Sequence, residues 1–392
     1  MRVGFTLVGG TKWTGGRNYL LNLLAVLERY GDSSVTCVLF IGTDVSNLEL
    51  QPFRELRNVE IIKANCFSDG PQRQRSLAKA LLTGCDSDAA RMFRQHQIDI
   101  VFEAAQFYGW RLPIPAVAWI PDFQHRRLPQ RFPRSARLKR EIGFRAQVYG
   151  KRMIMLSSED ARRDCEHFYP ATRGRTHTVS FATLPSRPLS FEAARDIAQT
   201  YDLKAPFFFL PNQFWSHKNH ILVVEALALL RERGRSVTIA ASGNPLDPRS
   251  PGHFQSLADR IAQLDLQASF RILGLIPYEH ISALMQSSVA LINPSLFEGW
   301  STVVEEARLL GTPMILSDLD VHKEQMGTAA VYFDRHSPAS LADCLESFVP
   351  RSDEERRALL QQGQVDGEER ARRFALAFTT MLSRSTQQKL EP

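Results

Sequence analysis

Two glutamates in the second half of the chain are spaced to suit a ligand that carries a sugar, a ribose and a diphosphate. Glu298 follows a predicted buried strand on a loop that Gly299 allows to turn, and Glu306 lies about one turn inside the next helix. Carboxylates accept hydrogen bonds from paired hydroxyls, and the helix N-terminus between them attracts phosphate. Glu305 must point elsewhere, because adjacent helical residues do not share a face. Two solvated glutamates with no ligand remain the alternative.

Lys218 is the second candidate, at the start of a helix predicted over 218–233 and directly after a buried strand and loop. A lysine at the positive end of a helix dipole is unfavourable for stability but suited to binding a diphosphate. An exposed loop lysine is the alternative. His217 and His220 have the spacing of metal ligands, but no carboxylate or cysteine is adjacent, which disfavours a metal site.

The first half offers two weaker candidates. A glycine-rich turn from Gly9 to Asn18 contains Gly15 and Gly16, and glycines there would let backbone N–H groups approach an anion or a sugar. Its spacing matches neither the dinucleotide fingerprint nor the Walker pattern, so a tight turn without a ligand stays open. Asp122 and His125 follow another predicted strand and could contact the donor sugar or the acceptor. A structural histidine is the alternative there.

Short apolar runs alternate with helical stretches along the chain, which predicts two doubly wound α/β domains with parallel sheets. A chain of 392 residues exceeds the size of one core. The proline-containing segment 184–189 is predicted to be the linker. We expect an N-terminal Rossmann-like domain at 1–186 and a C-terminal one at 187–365. A C-terminal helix within 366–392 is expected to pack back on the N-domain, with its amphipathic part at 366–383.

Composition narrows the class of protein. Apolar residues make up 44% and charged residues 23%, which argues against wholesale disorder. No apolar run approaches the roughly 20 residues that span a bilayer. Five scattered cysteines lack metal-site or disulfide spacing, which fits a reducing compartment. The sequence therefore predicts a cytoplasmic protein.

The net charge of +6 is concentrated in one segment, 126–152. Such a block attracts a phosphate-rich ligand or an anionic membrane face, and part of it could form a basic helix lying peripherally on the inner membrane. A solvated helix face is the alternative, and the lack of any nucleic-acid-binding module disfavours nucleic acid. The basic residues are Arg126, Arg127, Arg131, Arg134, Arg137, Lys139, Arg140, Arg145, Lys151 and Arg152.

Taken together, these motifs resemble glycosyltransferase family 4, the retaining GT-B enzymes. The run Phe297-Glu298-Gly299, then Glu306-Ala307 and Gly311-Thr312-Pro313, is similar to that family's E-x7-E signature, and Lys218-Asn219 stands where the family has its Lys at a helix start. The resemblance implies two Rossmann-like domains facing each other across a cleft. It also implies sugar transfer, with retention, from a nucleotide diphosphate sugar without a metal or other cofactor.

The resemblance also implies roles for individual residues. Glu298 would hold the donor sugar, Glu306 the ribose and Lys218 the diphosphate leaving group. Asp122 and His125 join Lys218 and Glu298 as candidate catalytic residues. The candidate donor-binding residues are Gly15, Gly16, Gln213, Lys218, Gly274, Glu298, Gly299, Trp300, Ser301, Thr302 and Glu306, with the amides of Trp300, Ser301 and Thr302 on the phosphates.

Two positions depart from the family pattern. Gln213 stands where an arginine is common, so an arginine of the basic segment would have to supply the missing charge. Pro121-Asp122 replaces a frequent His-Asp pair, with His125 three residues on, as in a subset of bacterial surface-polysaccharide enzymes. We therefore expect a hexosyl- or deoxyhexosyltransferase acting on a glycan or lipid-linked acceptor in cell-surface polysaccharide synthesis. The alternatives are a non-hydrolysing sugar-nucleotide epimerase and a decayed nucleotide- or glycan-binding protein.

Overall fold

The chain divides into two compact units, which we call the N-unit and the C-unit. A computed structural model describes residues 1–7, 14–104, 106–150, 152–185 and 187–387. The N-unit comprises Met1–Phe123, Arg134–Leu184 and Glu369–Pro392, and the C-unit comprises Gln124–Pro133 and Pro185–Glu368. This division differs from the predicted boundaries chiefly in residues 124–133, which group with the C-unit because Gln124 and Phe132 contact Arg249 there.

The N-unit is built on a seven-stranded parallel sheet with the strand order β3-β2-β1-β4-β5-β6-β7. The strands are β1 (Arg2–Thr6), β2 (Thr36–Ile41), β3 (Val59–Lys63), β4 (Ile100–Ala104), β5 (Ala116–Trp119), β6 (Met153–Leu156) and β7 (Thr176–Thr178). The helices of this part of the chain are α1 (Thr14–Tyr30), α2 (Asn47–Arg54), α3 (Pro71–Thr83), α4 (Ser87–Gln95), α5 (Gln124–Arg127), α6 (Arg134–Tyr149) and α7 (Glu159–Phe168), of which α5 belongs to the C-unit.

The C-unit carries a six-stranded parallel sheet with the order β10-β9-β8-β11-β12-β13. Apolar clusters cover both faces of this sheet, as expected of buried parallel strands. The strands are β8 (Phe208–Leu210), β9 (Ile239–Ser242), β10 (Phe270–Gly274), β11 (Ala290–Asn293), β12 (Met314–Ser317) and β13 (Val331–Phe333). The helices are α8 (Phe191–Gln199), α9 (His220–Glu232), α10 (His253–Gln263), α11 (Tyr278–Ser287), α12 (Thr302–Leu309), α13 (Asp320–Met326) and α14 (Pro338–Ser347).

The last helix, α15 (Asp353–Gln387), is longer than predicted. Gly363 and Gly367 lower the helix propensity of residues 353–367, so the sequence pattern did not predict the first half of α15. They are needed for packing, because a Cβ on Gly363 would lie 2.5 Å from the Arg308 carbonyl oxygen and one on Gly367 would lie 2.1 Å from the Leu309 side chain. The end of α12 is thereby held against α15 within the C-unit.

The C-terminal part of α15 belongs to the N-unit core. Phe378 packs 5.3 Å from Phe102 and 6.1 Å from Phe5, measured between ring centroids. Each ring is buried, so this part of the helix closes one face of the first sheet. Within the described ranges, no helix combines the length and apolar content needed to cross a bilayer.

Candidate functional site

In the C-unit sheet, β9 and β10 lie on one side of β8, and β11, β12 and β13 lie on the other, so β8 and β11 mark a topological switch point. β8 lies between β9 and β11, so the loops after β8 and β11 leave the sheet side by side and run to opposite faces. In doubly wound sheets, ligands bind at the carboxyl ends of the strands beside such a point. Lys218 lies on the first loop and Glu298 on the second, so the topology alone brings the two predicted motifs together.

Lys218 and Glu298 form a direct ion pair. Lys218 ends a short 3-10 turn (Ser216–Lys218). Asn219, in the left-handed region at φ 61°, precedes α9, which begins at His220, two residues later than predicted. The Lys218 Nζ donates to Glu298 Oε1 at 2.6 Å, and the Ser295 hydroxyl donates to the same oxygen at 2.7 Å. The side chains are only 15% and 10% exposed, so the pair is shielded from water.

A buried amide network fixes the two loops to each other. Asn293 Oδ1 accepts from Asn212 Nδ2 at 3.1 Å and from the Ser295 backbone N–H at 3.3 Å. The Leu296 N–H also donates to the His217 carbonyl at 2.8 Å. These contacts join the loop after β8 to the loop after β11, which sets the distance between Lys218 and Glu298 before any ligand binds.

His322 on α13 is a neighbour of Glu298 that was not predicted from the sequence. The Ser317 hydroxyl donates to the Ser295 carbonyl at 2.7 Å, and His322 Nδ1 lies 3.0 Å from the Ser317 carbonyl. Burial lowers the pKa of His322, although Glu298 opposes that shift. Its signal in the sequence was its place just after β12, the strand next to β11, a position where ligand-binding residues are expected.

The protonation state of Glu298 follows from these neighbours. Burial alone would raise its pKa, but Lys218, His322 and the hydrogen bonds from Lys218 and Ser295 outweigh burial and lower it. Glu298 is therefore an ionised acceptor whose Oε1 is already engaged by two donors.

At the start of α12, the structure differs from the prediction for Ser301. The Ser301 N–H was expected to bind a phosphate, but it donates to Gln325 Oε1 at 3.1 Å. Gln325 Nε2 returns to the Ser301 carbonyl and to Glu305 Oε1, and Glu305 also pairs with Arg308 at 2.8 Å. Glu305 is thus turned inward, in line with the expectation that only one of the two adjacent glutamates faces a ligand. Gly299 and Trp300 are half-buried on the same loop, and Thr302 is exposed.

Glu306 has a different environment. Its Oε1 accepts a hydrogen bond at 2.9 Å from the hydroxyl of Tyr278, the first residue of α11. Burial raises the pKa of Glu306 to about 7, and the Tyr278 hydrogen bond opposes that rise. Tyr278 was not among the predicted site residues, because it lies 28 positions before Glu306 and no motif marks it.

Gln213 and Gly274 connect the loops that surround the site. Gln213 Oε1 accepts from the Asn244 N–H at 2.7 Å, which ties the loop after β8 to the loop after β9. Gly243 packs so closely on Asn212 that a Cβ would lie 2.4 Å from its carbonyl oxygen. The Gly243 N–H donates to the carbonyl of Gly274, whose φ of 69° favours glycine. Gln213 therefore contributes a hydrogen bond and no charge.

Arg249 brings a positive charge to the Lys218 turn from an unexpected direction. Its guanidinium lies 3.4 Å from His217 Nδ1 and 5.2 Å from the centre of the Trp215 ring, and it donates to Gln124 Oε1 at 2.9 Å. Asp247 lies 3.5 Å away and balances part of this charge. Arg249 follows β9 and lies outside the basic segment 126–152, the segment in which a compensating arginine was expected.

The site residues predicted in the first half of the chain are divided between the two units. Gly15 and Gly16 lie in the first turn of α1, not in a loop, so the predicted glycine loop is corrected there, and positions 8–13 are outside the described residues. Asp122 lies in the N-unit, 3.5 Å from Arg140. His125 is buried in α5, within the segment that groups with the C-unit.

The basic segment is also divided. Arg152 is buried and pairs with Glu103 at 2.6 Å, so it does not belong to a basic surface as predicted. Arg126, Arg127 and Arg131 fall in the C-unit, whereas the residues on α6 fall in the N-unit. Lys151 lies outside the described residues. The remaining exposed charge is concentrated on α6.

Comparison with known proteins finds similarity to glycosyl transferases within the C-unit. Residues 194–365 match the model of the family described as Glycosyl transferases group 1. A stretch of 120 residues is 31% identical to the putative glycosyltransferase EpsF of Bacillus subtilis (strain 168), and this match spans 30% of the chain and 29% of that relative. The matched segment 194–365 contains Lys218, Glu298 and Glu306 together with the side chains that hydrogen-bond to them, Ser295 and Tyr278.

Solved structures extend the likeness to the whole chain at the level of fold. A structure of Anabaena Alr3699/HepE in complex with UDP and glucose superposes with a TM-score of 0.69 at 16% identity, covering 98% of this chain and 99% of that one. Sucrose-phosphate synthase (tll1590) from Thermosynechococcus elongatus gives a TM-score of 0.68 at 13% identity and 98% coverage of each chain. The two parallel-sheet α/β domains of this chain are thus a GT-B fold, as the sequence predicted.

Proposed function

We propose that this protein is a glycosyltransferase that moves a sugar, with retention, from a nucleotide diphosphate sugar to a glycan or lipid-linked acceptor. The observation that carries the proposal is the 2.6 Å contact between Lys218 and Glu298 at the switch point of the C-unit sheet. It lies inside the segment that matches group 1 glycosyl transferases. A role in cell-surface polysaccharide synthesis, at the cytoplasmic face of the membrane, is part of the proposal.

The proposed chemistry follows from the charges of Lys218, Glu298 and Arg249. Departure of a nucleoside diphosphate develops negative charge on the phosphate oxygens, and a preorganised ammonium group stabilises that charge without a metal ion. Lys218 is held in place by Glu298, so a donor diphosphate would compete with this carboxylate for the lysine. Glu298 would then accept hydroxyl groups of the donor sugar, and Arg249 would add positive charge to the same turn.

The test is a screen of UDP-, GDP- and ADP-sugars for protection against thermal unfolding, followed by product analysis with the donor that protects. Specific binding stabilises the folded state in proportion to the logarithm of ligand concentration. We expect one nucleotide class to raise the midpoint, and the product formed on an added acceptor to keep the anomeric configuration of the donor. An inverted product would contradict retention, and protection by none of the donors would contradict the proposal itself.

An anionic membrane surface is the partner we propose for α6. Leu138, Ile142 and Tyr149 are exposed at intervals of four and seven residues, which places them along one side of the helix. Four exposed basic residues accompany them, namely Arg134, Arg137, Lys139 and Arg145. An exposed apolar stripe with basic neighbours is the pattern of a helix that lies in the membrane interface.

This partner is testable with vesicles of neutral lipid alone or with added anionic lipid. We expect co-sedimentation with the anionic vesicles that weakens as salt rises from 0.05 to about 0.5 M, because salt screens surface charges. Leu138→Ser with Ile142→Ser should weaken it further, whereas Leu246→Ser, which alters an exposed leucine of the C-unit, should not. Binding that is insensitive to salt, or equal for both vesicles, would remove this part of the proposal.

A further inference from the structure

The N-unit sheet has an open edge at β3. Within the described residues, β2 is the one strand that pairs with β3. The Ala64 N–H, directly after β3, donates to the Ile41 carbonyl of β2 at 3.0 Å. Because the backbone groups of successive residues point to opposite edges of a strand, those of Val59, Ile61 and Lys63 point away from β2. They form the row of N–H and C=O groups that an edge strand offers to another chain.

A cavity of about 390 Å³ lies beside this edge. Side chains and backbone groups alternate along a strand with the same period of two, so the strand residues that line the cavity are also those that face the open edge. An extended segment laid along β3 would therefore bond to its backbone and place every second side chain in the cavity. Four apolar and two basic residues of α2, β3 and the turn between them line it, namely Leu50, Arg54, Leu56, Val59, Ile61 and Lys63.

The charges of the cavity select its occupant. Arg54 donates to the uncharged side chain of Asn47 at 3.0 Å, and within the described part of the chain neither Arg54 nor Lys63 forms an ion pair. Glu60 lies on the opposite face of β3, where Arg2 contacts it at 2.6 Å. An acidic side chain on the added strand therefore complements this face. The β3 strand of a second copy would bring another Lys63 to it and no carboxylate, which disfavours self-pairing.

We propose that the β3 edge is a docking site for an extended acidic segment of a partner protein, which adds to the N-unit sheet as a further strand. Apolar side chains of the segment fill the cavity over Leu50, Leu56 and Ile61, and a carboxylate pairs with Lys63 or Arg54. Backbone hydrogen bonds supply the affinity, and the cavity supplies the specificity. This inference goes beyond the proposed glycosyl transfer, because the residues that line the edge belong to the other unit of the chain from Lys218 and Glu298.

The probe is an end-blocked, fluorescently labelled peptide of sequence Thr-Val-Thr-Val-Thr-Asp-Thr, which presents two valines and an aspartate on one face. A second peptide has lysine in place of the aspartate, and a third carries N-methyl groups on its central residues, which block backbone pairing. Titration by fluorescence anisotropy should give a Kd below about 1 mM for the aspartate peptide. We expect about 2- to 5-fold weaker binding of the lysine peptide and loss of binding with N-methylation.

Two variants of the full chain test the charge and the edge separately. Lys63→Glu reverses the charge of the cavity, so the lysine peptide should now bind about 2- to 5-fold more tightly than the aspartate peptide. Ile61→Pro removes an N–H that faces the open edge and leaves the pairing with β2 in place, so the aspartate peptide should no longer bind. Lys204→Glu, at an exposed lysine of the C-unit, is the matched control and should bind as the wild type does.

Amide hydrogen exchange gives a readout that charge alone does not move. The aspartate peptide should slow exchange at Val59, Ile61 and Lys63, whose N–H groups face the open edge, and the N-methylated peptide should not. No saturable binding of the aspartate peptide, equal binding of the N-methylated one, or an unchanged preference in Lys63→Glu would each overturn the proposal. A dimer in sedimentation velocity that Ile61→Pro dissociates would assign the edge to a second copy of this chain and would also overturn it.

Discussion

Glu298 and Glu306 lie on one motif, eight positions apart, but their pKa values shift in opposite directions. Burial is the largest influence on the pKa of each and raises both. At Glu298 a lysine 2.6 Å away reverses the outcome and lowers the pKa. At Glu306 the opposing contact is a neutral phenol, and the pKa stays raised, at about 7. A nearby cation, more than burial, decides which carboxylate remains ionised.

This difference matches two different tasks. Glu298 is held ionised and engaged beside Lys218, where a leaving group's charge would develop. Glu306 is poised to change protonation near neutral pH, away from that lysine, and is suited to reading hydroxyl groups. The contrast between the two glutamates can be tested in three ways: by removing Lys218, by changing the pH, and by replacing each carboxylate with its amide.

The largest effect is expected from Lys218→Ala. It removes the cation that stabilises the diphosphate and leaves Glu298 buried without its partner, so the pKa of Glu298 should rise. We expect kcat to fall about 10²- to 10³-fold, the scale seen when one preorganised donor to a developing negative charge is lost. Steady-state kinetics with the donor found in the thermal screen would measure it.

Lys204→Ala provides the control, because Lys204 is an exposed lysine of the same unit. It should leave kcat within a factor of about two, as expected of a surface substitution. A Lys218→Ala enzyme that turns over at the wild-type rate, with a folded circular dichroism spectrum, would show that the ion pair serves only the fold.

The second effect concerns pH and isolates Glu306. Nucleotide affinity of the wild type should be flat above about pH 8 and fall as pH drops through about 7, by up to tenfold per pH unit. Glu306→Gln cannot ionise, so its weaker binding should be independent of pH over that range. Glu298→Gln should keep the wild-type midpoint, because Glu298 is already ionised well below neutral pH.

Titrating the three proteins with the same nucleoside diphosphate from pH 5.5 to 9 gives the comparison directly. A midpoint that persists in Glu306→Gln would assign the titration to another group and break the contrast between the glutamates.

The sequence could predict the parts of this site that follow from order along the chain. Alternating strands and helices fixed the parallel sheets, and the carboxyl-end loops after β8 and β11 had to meet wherever those strands are neighbours. The predicted orientation of Glu305, away from the ligand side, followed from helical geometry alone.

Contacts between distant segments could not be read in the same way. Tyr278, His322 and Arg249 reach the site from the loops and helices after β10, β12 and β9, and no local pattern says which side chain of such a loop turns inward. The N–H of Ser301 shows the converse case. Its position at a helix start predicted that this N–H would donate to a phosphate, but it donates to the side chain of Gln325 on α13.

The smallest expected effect, and the one that tests the comparison without any ligand, is on stability. A carboxyl whose folded pKa is raised stabilises the fold fully below its unfolded pKa, and this contribution is lost as pH rises through the folded value. For Glu306 the window runs from about 4.5 to about 7. Glu306→Gln should therefore be more stable than wild type at pH 8, by about 1–2 kcal/mol after discounting for its partial exposure, with the gain shrinking toward pH 5.

Glu298 should behave in the opposite sense. Its folded pKa is lowered, so the stability it contributes is present above its unfolded pKa and is lost only in acid. Glu298→Gln leaves Lys218 mostly buried without a counter-charge and should cost about 1–3 kcal/mol at pH 8 and at pH 5.5 alike. Thermal melts of both variants at these two pH values would show shifts of opposite sign at pH 8. Shifts of the same sign would mean that the two carboxylates share one environment, and the division of tasks drawn from their pKa values would be lost.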